Sequence, residues 1–293
     1  MAARHRGLLL WAAAVQAPWL IHCAGLHDGG LRVPTVEIAP GVLMPVLSIG
    51  TGGTESHDSA EITQHWLGLG GRGIDTALVY GDQAVVAKTI ASAGLKREDV
   101  FMTTKIAGCG NTEANVQKDL RDLNTSYVDL MLIHYPMGGN CTEAWGVLEK
   151  YQAQGVLKAI GVSNFKRSDL EPLLAAARVV PAVNQIRLNV LDHDDDTVSF
   201  TRAHNITVEA YSPLGRDSHK IPKNTAIQGL AVRHNVSTYQ VALRWVLQHG
   251  HVATFQSTSQ LHQKEDADVF GFSLSDDEMK LLDKLQHPKV VYV

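Results

Sequence analysis

Cysteine is scarce in this chain of 293 residues, which holds only Cys23, Cys109 and Cys141. No C-x-x-C pair and no H-E-x-x-H stretch occurs, so the common zinc signatures are missing and no metal site is expected. A basic excess is missing too. Lysine and arginine number 26 against 30 aspartates and glutamates, for a net charge of -4. That balance lacks the cationic surface that nucleic acid or anionic lipid would need. No Pro/Ser-rich linker divides the chain from residue 33 onward, and with 45% hydrophobic residues there is enough apolar material for one large core or two modest ones.

Acids are also absent before Asp28, where Arg4 and Arg6 precede "GLLLWAAAVQAPWLIHCAG". The apolar run is broken by Gln16 and Pro18 and ends near small residues at 23–25, which is the pattern of a secretory signal rather than a membrane span. The expectation is a leader over 1–30, a folded domain over 31–293, and a secretory or extracellular location. The alternatives are a mitochondrial or a cytoplasmic one. Asn124, Asn140, Asn205 and Asn235 each open an N-x-S/T sequon, in keeping with the secretory reading.

From residue 33 onward, β-rich runs alternate with amphipathic ones. Eight candidate strands fall at 45–50, 72–75, 100–106, 128–134, 157–163, 181–186, 206–212 and 252–255. Helical stretches lie between them, the first marked by a capping-box spacing at Asp58 and Glu61. Eight strand-helix units over this length predict a (β/α)8 TIM barrel. The preceding "TVEIAPGVLMP" reads as a β-hairpin about Pro40-Gly41 that covers the bottom of the barrel. The "GLGGRG" containing Gly68, Gly70 and Gly73 fits a dinucleotide fingerprint only by letter. A helix precedes it and a strand follows, so it is read as a helix end.

In such barrels, chemistry sits at the C-terminal ends of the strands. Those ends supply Asp75 and Tyr80, Lys105, His134, Ser163 and Asn164, Gln185, and Tyr211. Singly, each has an ordinary explanation: a capping acid, a packed ring, a surface cation, a core histidine. Jointly, they point to proton donation to a carbonyl oxygen. A phenol is a poor acid unless a nearby ammonium such as Lys105 stabilises its anion, and Asp75 would keep that ammonium charged. His134 would hydrogen-bond the same oxygen.

The phrases "GRGIDTALVYGDQ", "REDVFMTTKI", "VDLMLIHYP", "GVLKAIGVSNF", "AVNQIRLN", "VEAYSPLG" and "VALRWVLQHG", in this order, resemble the aldo-keto reductase family over about residues 33–288. The resemblance implies a catalytic tetrad of Asp75, Tyr80, Lys105 and His134 and hydride transfer from a reduced nicotinamide to an aldehyde or ketone. It further implies that Ser163, Asn164 and Gln185 bind the carboxamide, that Tyr211 stacks on the nicotinamide, and that Ser212, Leu214 and Gly215 belong to the pyrophosphate turn. A small-molecule carbonyl substrate and a monomeric protein are expected. A nicotinamide-binding regulatory or redox-sensing module with little turnover is the alternative.

The sequence departs from the family pattern after the eighth strand. In "ATFQSTSQLHQKED", Gln256 and His262 stand where the family has the lysine and arginine that grip the 2′-phosphate of NADPH. Ser257 completes that stretch, and Glu265 and Asp266 fall at the adenine positions. NADPH is expected first, with NADH the alternative. Gly52 replaces a pocket tryptophan and the tail is short, so an open pocket is expected, with Val79, Tyr135 and His134 beside Tyr80 at the substrate. Trp145 is read as core. Cys109 and Cys141 follow neighbouring strands, and a disulfide between them is predicted in a secretory setting. The "DHDDD" at 192–196 precedes a helix and reads as a solvated N-terminus rather than a calcium site.

Overall fold

A computed structural model describes residues 31–53, 56–215 and 220–285 of the chain. The expected leader over 1–30 lies outside the described residues. The chain enters through a hairpin of β1 (Thr35–Ala39) and β2 (Val42–Pro45), turning at Pro40-Gly41 as predicted. Eight parallel strands then close on themselves: β3 (Leu47–Gly50), β4 (Gly73–Asp75), β5 (Phe101–Ile106), β6 (Val128–Ile133), β7 (Leu157–Ser163), β8 (Val183–Arg187), β9 (Thr207–Tyr211) and β10 (Val252–Phe255). The closing contact pairs β10 with β3, from Ala253 opposite Leu47 to Phe255 opposite Ile49. The (β/α)8 barrel predicted from the sequence is the architecture observed.

These segments become strands because both of their faces are buried. Every residue of β5, of β6 and of β10 is buried, one set of side chains facing the barrel interior and the other the helices. The hairpin plugs the N-terminal end. Val36, Ile38, Val42 and Met44 pack against Phe101, Leu130, Val183 and Val252, near the starts of their strands. The opposite, C-terminal end stays clear for chemistry.

The helices are α1 (Ser56–Leu69), α2 (Gln83–Ser92), α3 (Thr112–Asp122), α4 (Cys141–Ala153), α5 (Arg167–Ala176), α6 (Asp195–Ala203), α7 (Lys220–Lys223), α8 (Thr225–His234), α9 (Thr238–Gln248), α10 (Gln260–Ala267) and α11 (Asp276–Asp283). Helix α1 starts at Ser56, so Asp58 lies within the first turn and not at its cap, correcting the capping-box reading. Where "GLGGRG" was read as a helix end, α1 stops at Leu69 and Gly70 adopts φ +104°, a backbone that favours glycine. The Trp66 indole donates to Gly73 O at 2.9 Å, tying this helix end to β4.

Register decides which side chains reach the mouth. Neighbours in parallel strands point the same way, so the pairs Asp75–Thr103, Ser163–Gln185, Gln185–Glu209 and Thr254–Tyr211 share faces. Strand-end groups widely spaced along the chain, Asp75, Ser163, Gln185 and Tyr211 among them, are thereby brought around one opening.

Candidate active site

Asp75, the last residue of β4, is the hub of the polar cluster. Its Oδ1 accepts from Lys105 Nζ at 2.5 Å, and its Oδ2 accepts from Gln185 Nε2 at 2.7 Å. Lys105, fully buried on β5, also donates to Thr76 O at 3.0 Å. Burial alone would drive its proton off, but the charge of Asp75 and then that of Tyr80 outweigh burial, and the net direction is upward. The ammonium is therefore permanent near neutral pH. It lies 5.3 Å from the centroid of the Tyr80 ring.

Tyr80 ends a short 3₁₀ turn, Leu78–Tyr80, between β4 and α2. Burial raises its phenol pKa, Lys105 pulls the other way, and the net direction is up. The resting group is a protonated phenol, the form a proton donor requires. The turn is held by a buried shell around Asp82. Thr76 Oγ1 donates to Asp82 Oδ1 at 2.7 Å and Ser59 Oγ donates to its Oδ2 at 2.8 Å, linking the turn to β4 and α1. The next residue, Gln83, donates to Thr104 Oγ1 at 2.7 Å and to Asp119, so α2, α3 and β5 are fastened beside Lys105.

His134 follows β6 directly. Its ring meets Tyr80 edge-on at 5.7 Å and stacks on Tyr135 at 4.4 Å. Burial, and then the neighbouring Lys105 charge, pull its pKa down to about 3. The imidazole is neutral in water of ordinary pH and can donate from one ring nitrogen to an oxygen placed beside Tyr80.

Asp75, Tyr80 and His134, with Lys105 buried behind them, floor a cavity of about 450 Å³ at the barrel mouth, lined among others by Gly52, Tyr135, Ser163, Asn164, Gln185, Tyr211, Ser212, Leu214, Gly215 and Gln256. Asn164 anchors one wall. Its amide donates to His134 O at 3.0 Å and Ser163 Oγ at 3.1 Å, and its Oδ1 accepts from Tyr211 Oη at 2.8 Å. Val79 is 56% exposed and does not line this cavity, unlike Tyr135. Ser257, His262, Glu265 and Asp266 also lie outside it: His262 is exposed on α10, Glu265 lines a separate outer groove, and Asp266 is buried. Burial raises Asp266 to about 7. Trp145 is core, its indole donating to Val179 O at 3.0 Å.

The loops after β5 and β6 are joined by the predicted disulfide, Cys109–Cys141. Cys109 N donates to Met137 O at 2.7 Å, so the two loops meet backbone to backbone beside Tyr135. At 192–196, Asp194 caps α6 and Asp192 pairs with Arg187 at 2.7 Å. Among the described residues, no group of three or more His, Cys, Asp or Glu could hold a metal ion, and no helix is long and apolar enough to cross a membrane.

The profile of the Aldo/keto reductase family matches residues 46–287. The chain belongs to the aldo/keto reductase family. This aldo/keto reductase is 35% identical over 265 residues to an aldo-keto reductase of Mycolicibacterium smegmatis, covering 88% of this chain and 93% of the relative. It is 35% identical over 256 residues to the glyoxal reductase of Bacillus subtilis, covering 86% and 92%. The crystal structure of an aldo/keto reductase from Brucella melitensis superimposes with a TM-score of 0.82 at 34% identity, covering 87% of this chain and all of that one. The protein is an oxidoreductase of a family that uses nicotinamide cofactors.

The mouth fits such a cofactor in its donor set. The Ser163–Asn164–Gln185 wall is polar and uncharged, as a carboxamide requires, and Tyr211 offers an aromatic ring beside it, held by its hydroxyl bond to Asn164. Ser212 at φ +51° and Gly215 at φ +78° form a tight turn, with Gly215 N donating to Ser212 O at 3.0 Å. No lysine or arginine lines the described cavity. Sequence reasoning missed Asp82, which sits inside the quoted "VYGDQ" and could have been noticed as a strand-to-helix acid, and Glu209, which had no signal beyond its place on a strand.

Proposed function

We propose that this protein reduces an aldehyde or ketone to an alcohol, with Tyr80 as the proton donor. The observation that carries the reading is the Tyr80 phenol in the cavity floor, with the Lys105 ammonium against its ring and Asp75 behind that ammonium. A reduced nicotinamide, when bound, supplies hydride. Tyr80 gives its proton to the carbonyl oxygen as negative charge develops there, and Lys105 stabilises the phenolate left behind. The neutral His134 donates a hydrogen bond to the same oxygen and orients the carbonyl, while Tyr135 and Gly52 bound the substrate space.

NADPH is the proposed cofactor, with NADH close behind. The family resemblance supports NADPH, while Gln256, which lines the mouth at the position the resemblance assigns to a phosphate-gripping lysine, lacks a charge-assisted bond of about 1.5 to 3 kcal/mol and so keeps NADH close. The relative that is a glyoxal reductase supports small reactive carbonyls as substrates. The Cys109–Cys141 bond supports an oxidising, secretory location.

The test is consumption of NADPH and of NADH by the purified protein with glyoxal and with an aromatic aldehyde, beside Tyr80→Phe. Turnover that falls by about 10² to 10⁴ in the variant is expected. Cofactor binding without turnover in the wild type would overturn the reductase reading in favour of a nicotinamide-sensing barrel.

A further inference from the structure

Beneath the tetrad lies an acid with no part in the steps above. Glu209, in the middle of β9, has no exposed surface, and neither of its carboxyl oxygens makes a hydrogen bond of good geometry. It stands in register with Gln185 on β8 and Val252 on β10, and Gln185 is the polar group that faces it. That same amide donates to Asp75. The charges acting on Glu209 are Asp75 on β4 and Lys105 on β5.

A buried carboxyl without strong partners is far cheaper neutral than charged. Burial, and then the nearby Asp75 charge, raise Glu209 to about 8, against weaker opposing pulls from Gln185 and Lys105. Lys105 has one close carboxylate partner, Asp75, so with Glu209 uncharged the centre of the barrel holds a balanced pair. A second negative charge at Glu209 would offset the ammonium on which the Tyr80 phenolate depends.

Resting on the carbonyl-reductase reading, we infer that Glu209 is a positioning residue of the tetrad: uncharged, it backs Gln185 against Asp75, and on gaining charge it weakens Tyr80 as a proton donor. Its action is indirect, through Gln185, Asp75 and Lys105.

The experiment compares wild type with the isosteric Glu209→Gln. Reductive kcat of the wild type falls about tenfold between pH 7 and 9, because one pH unit beyond the midpoint leaves about a tenth of Glu209 protonated. In the variant that fall is less than twofold. An equal fall in both proteins overturns the proposal, since a merely structural acid would leave the pH profile unmoved. The infrared spectrum of the wild type alone provides a second arm. A protonated-carboxyl band must disappear near pH 8, above the Asp119 and Asp266 titrations near 6 and 7, and its absence overturns the proposal whether or not the variant folds. Absorbance titration of Tyr80, taken as the difference from Tyr80→Phe, must start at lower pH in Glu209→Gln. That shift needs no turnover. If no carbonyl is reduced at any pH, the functional reading fails on its own while the infrared and phenol titrations still decide the role of Glu209.

Discussion

Replacing Gly52 by alanine should impair catalysis while barely touching the fold. A Cβ at Gly52 would lie 2.6 Å from Tyr80 Cζ and 2.8 Å from its hydroxyl, where ordinary contact begins at 3.4 Å. The phenol must move by about 0.8 Å, because the added methyl meets ring atoms and cannot be avoided by a side-chain tip. Gly52 has no positive φ, so the effect is steric and not backbone strain. Misplacing a reacting group by about 1 Å can cost about a hundredfold. The expected loss is between about ten- and a hundredfold in kcat, or about 1.4 to 2.7 kcal/mol of transition-state stabilisation. Steady-state kinetics of Gly52→Ala measure it, with Gly53→Ala as control. Gly53 carries φ +82° but has nothing within 4 Å of its Cβ, so its substitution strains the backbone without touching Tyr80. Equal kcat in Gly52→Ala and wild type would refute the steric argument. The glycine therefore does more than leave the pocket open: its missing side chain is where the phenol sits.

Lys105→Met should abolish proton donation and leave the Asp75 carboxylate buried with Gln185 as its side-chain partner, costing about 3 to 5 kcal/mol of stability; a variant as stable as wild type in urea would contradict the buried pair. Replacing both Cys109 and Cys141 by serine releases a loop with a separation of 32 residues, for an expected loss of about 3 to 4 kcal/mol, measured by denaturant unfolding. Two free thiols by mass spectrometry of the non-reduced protein would refute the bond itself. The pair Gln256→Lys and His262→Arg should raise the NADPH to NADH ratio of kcat/KM by at least about tenfold, given about 1.5 kcal/mol or more per phosphate contact; an unchanged ratio would place the phosphate elsewhere. His251, buried and pulled down to about 3, takes up its proton far below an unfolded histidine near 6.5, so its contribution to stability falls as pH drops from 6.5 to 3 by about 1.4 kcal/mol per unit. Unfolding of wild type against His251→Phe between pH 7 and 4 reads that slope and cancels the opposite one of Asp119 and Asp266, and parallel curves would sink it.

Much of this was legible in sequence because the barrel repeats one local rule. Alternating apolar runs and helix signals located all eight barrel strands, and the strand-end rule then pointed to Asp75, Lys105, Gln185 and Tyr211 without coordinates. Less visible were α10, a polar helix with a weak periodic pattern, the short helices α8 and α11, and the start of α1, where Asp58 imitated a cap. Residue type along the chain thus determined where strands form, which acids, amides and phenol stand at their ends, and which two cysteines follow neighbouring strands. Only closure of the barrel decided that Asp75 takes its two partners from residues 30 and 110 positions away, that a methyl at Gly52 would strike Tyr80, and that Glu209 lies in the dry interior. The reason is physical: charge state and contact distance depend on burial and on neighbours remote in sequence, and neither exists until the strands pair.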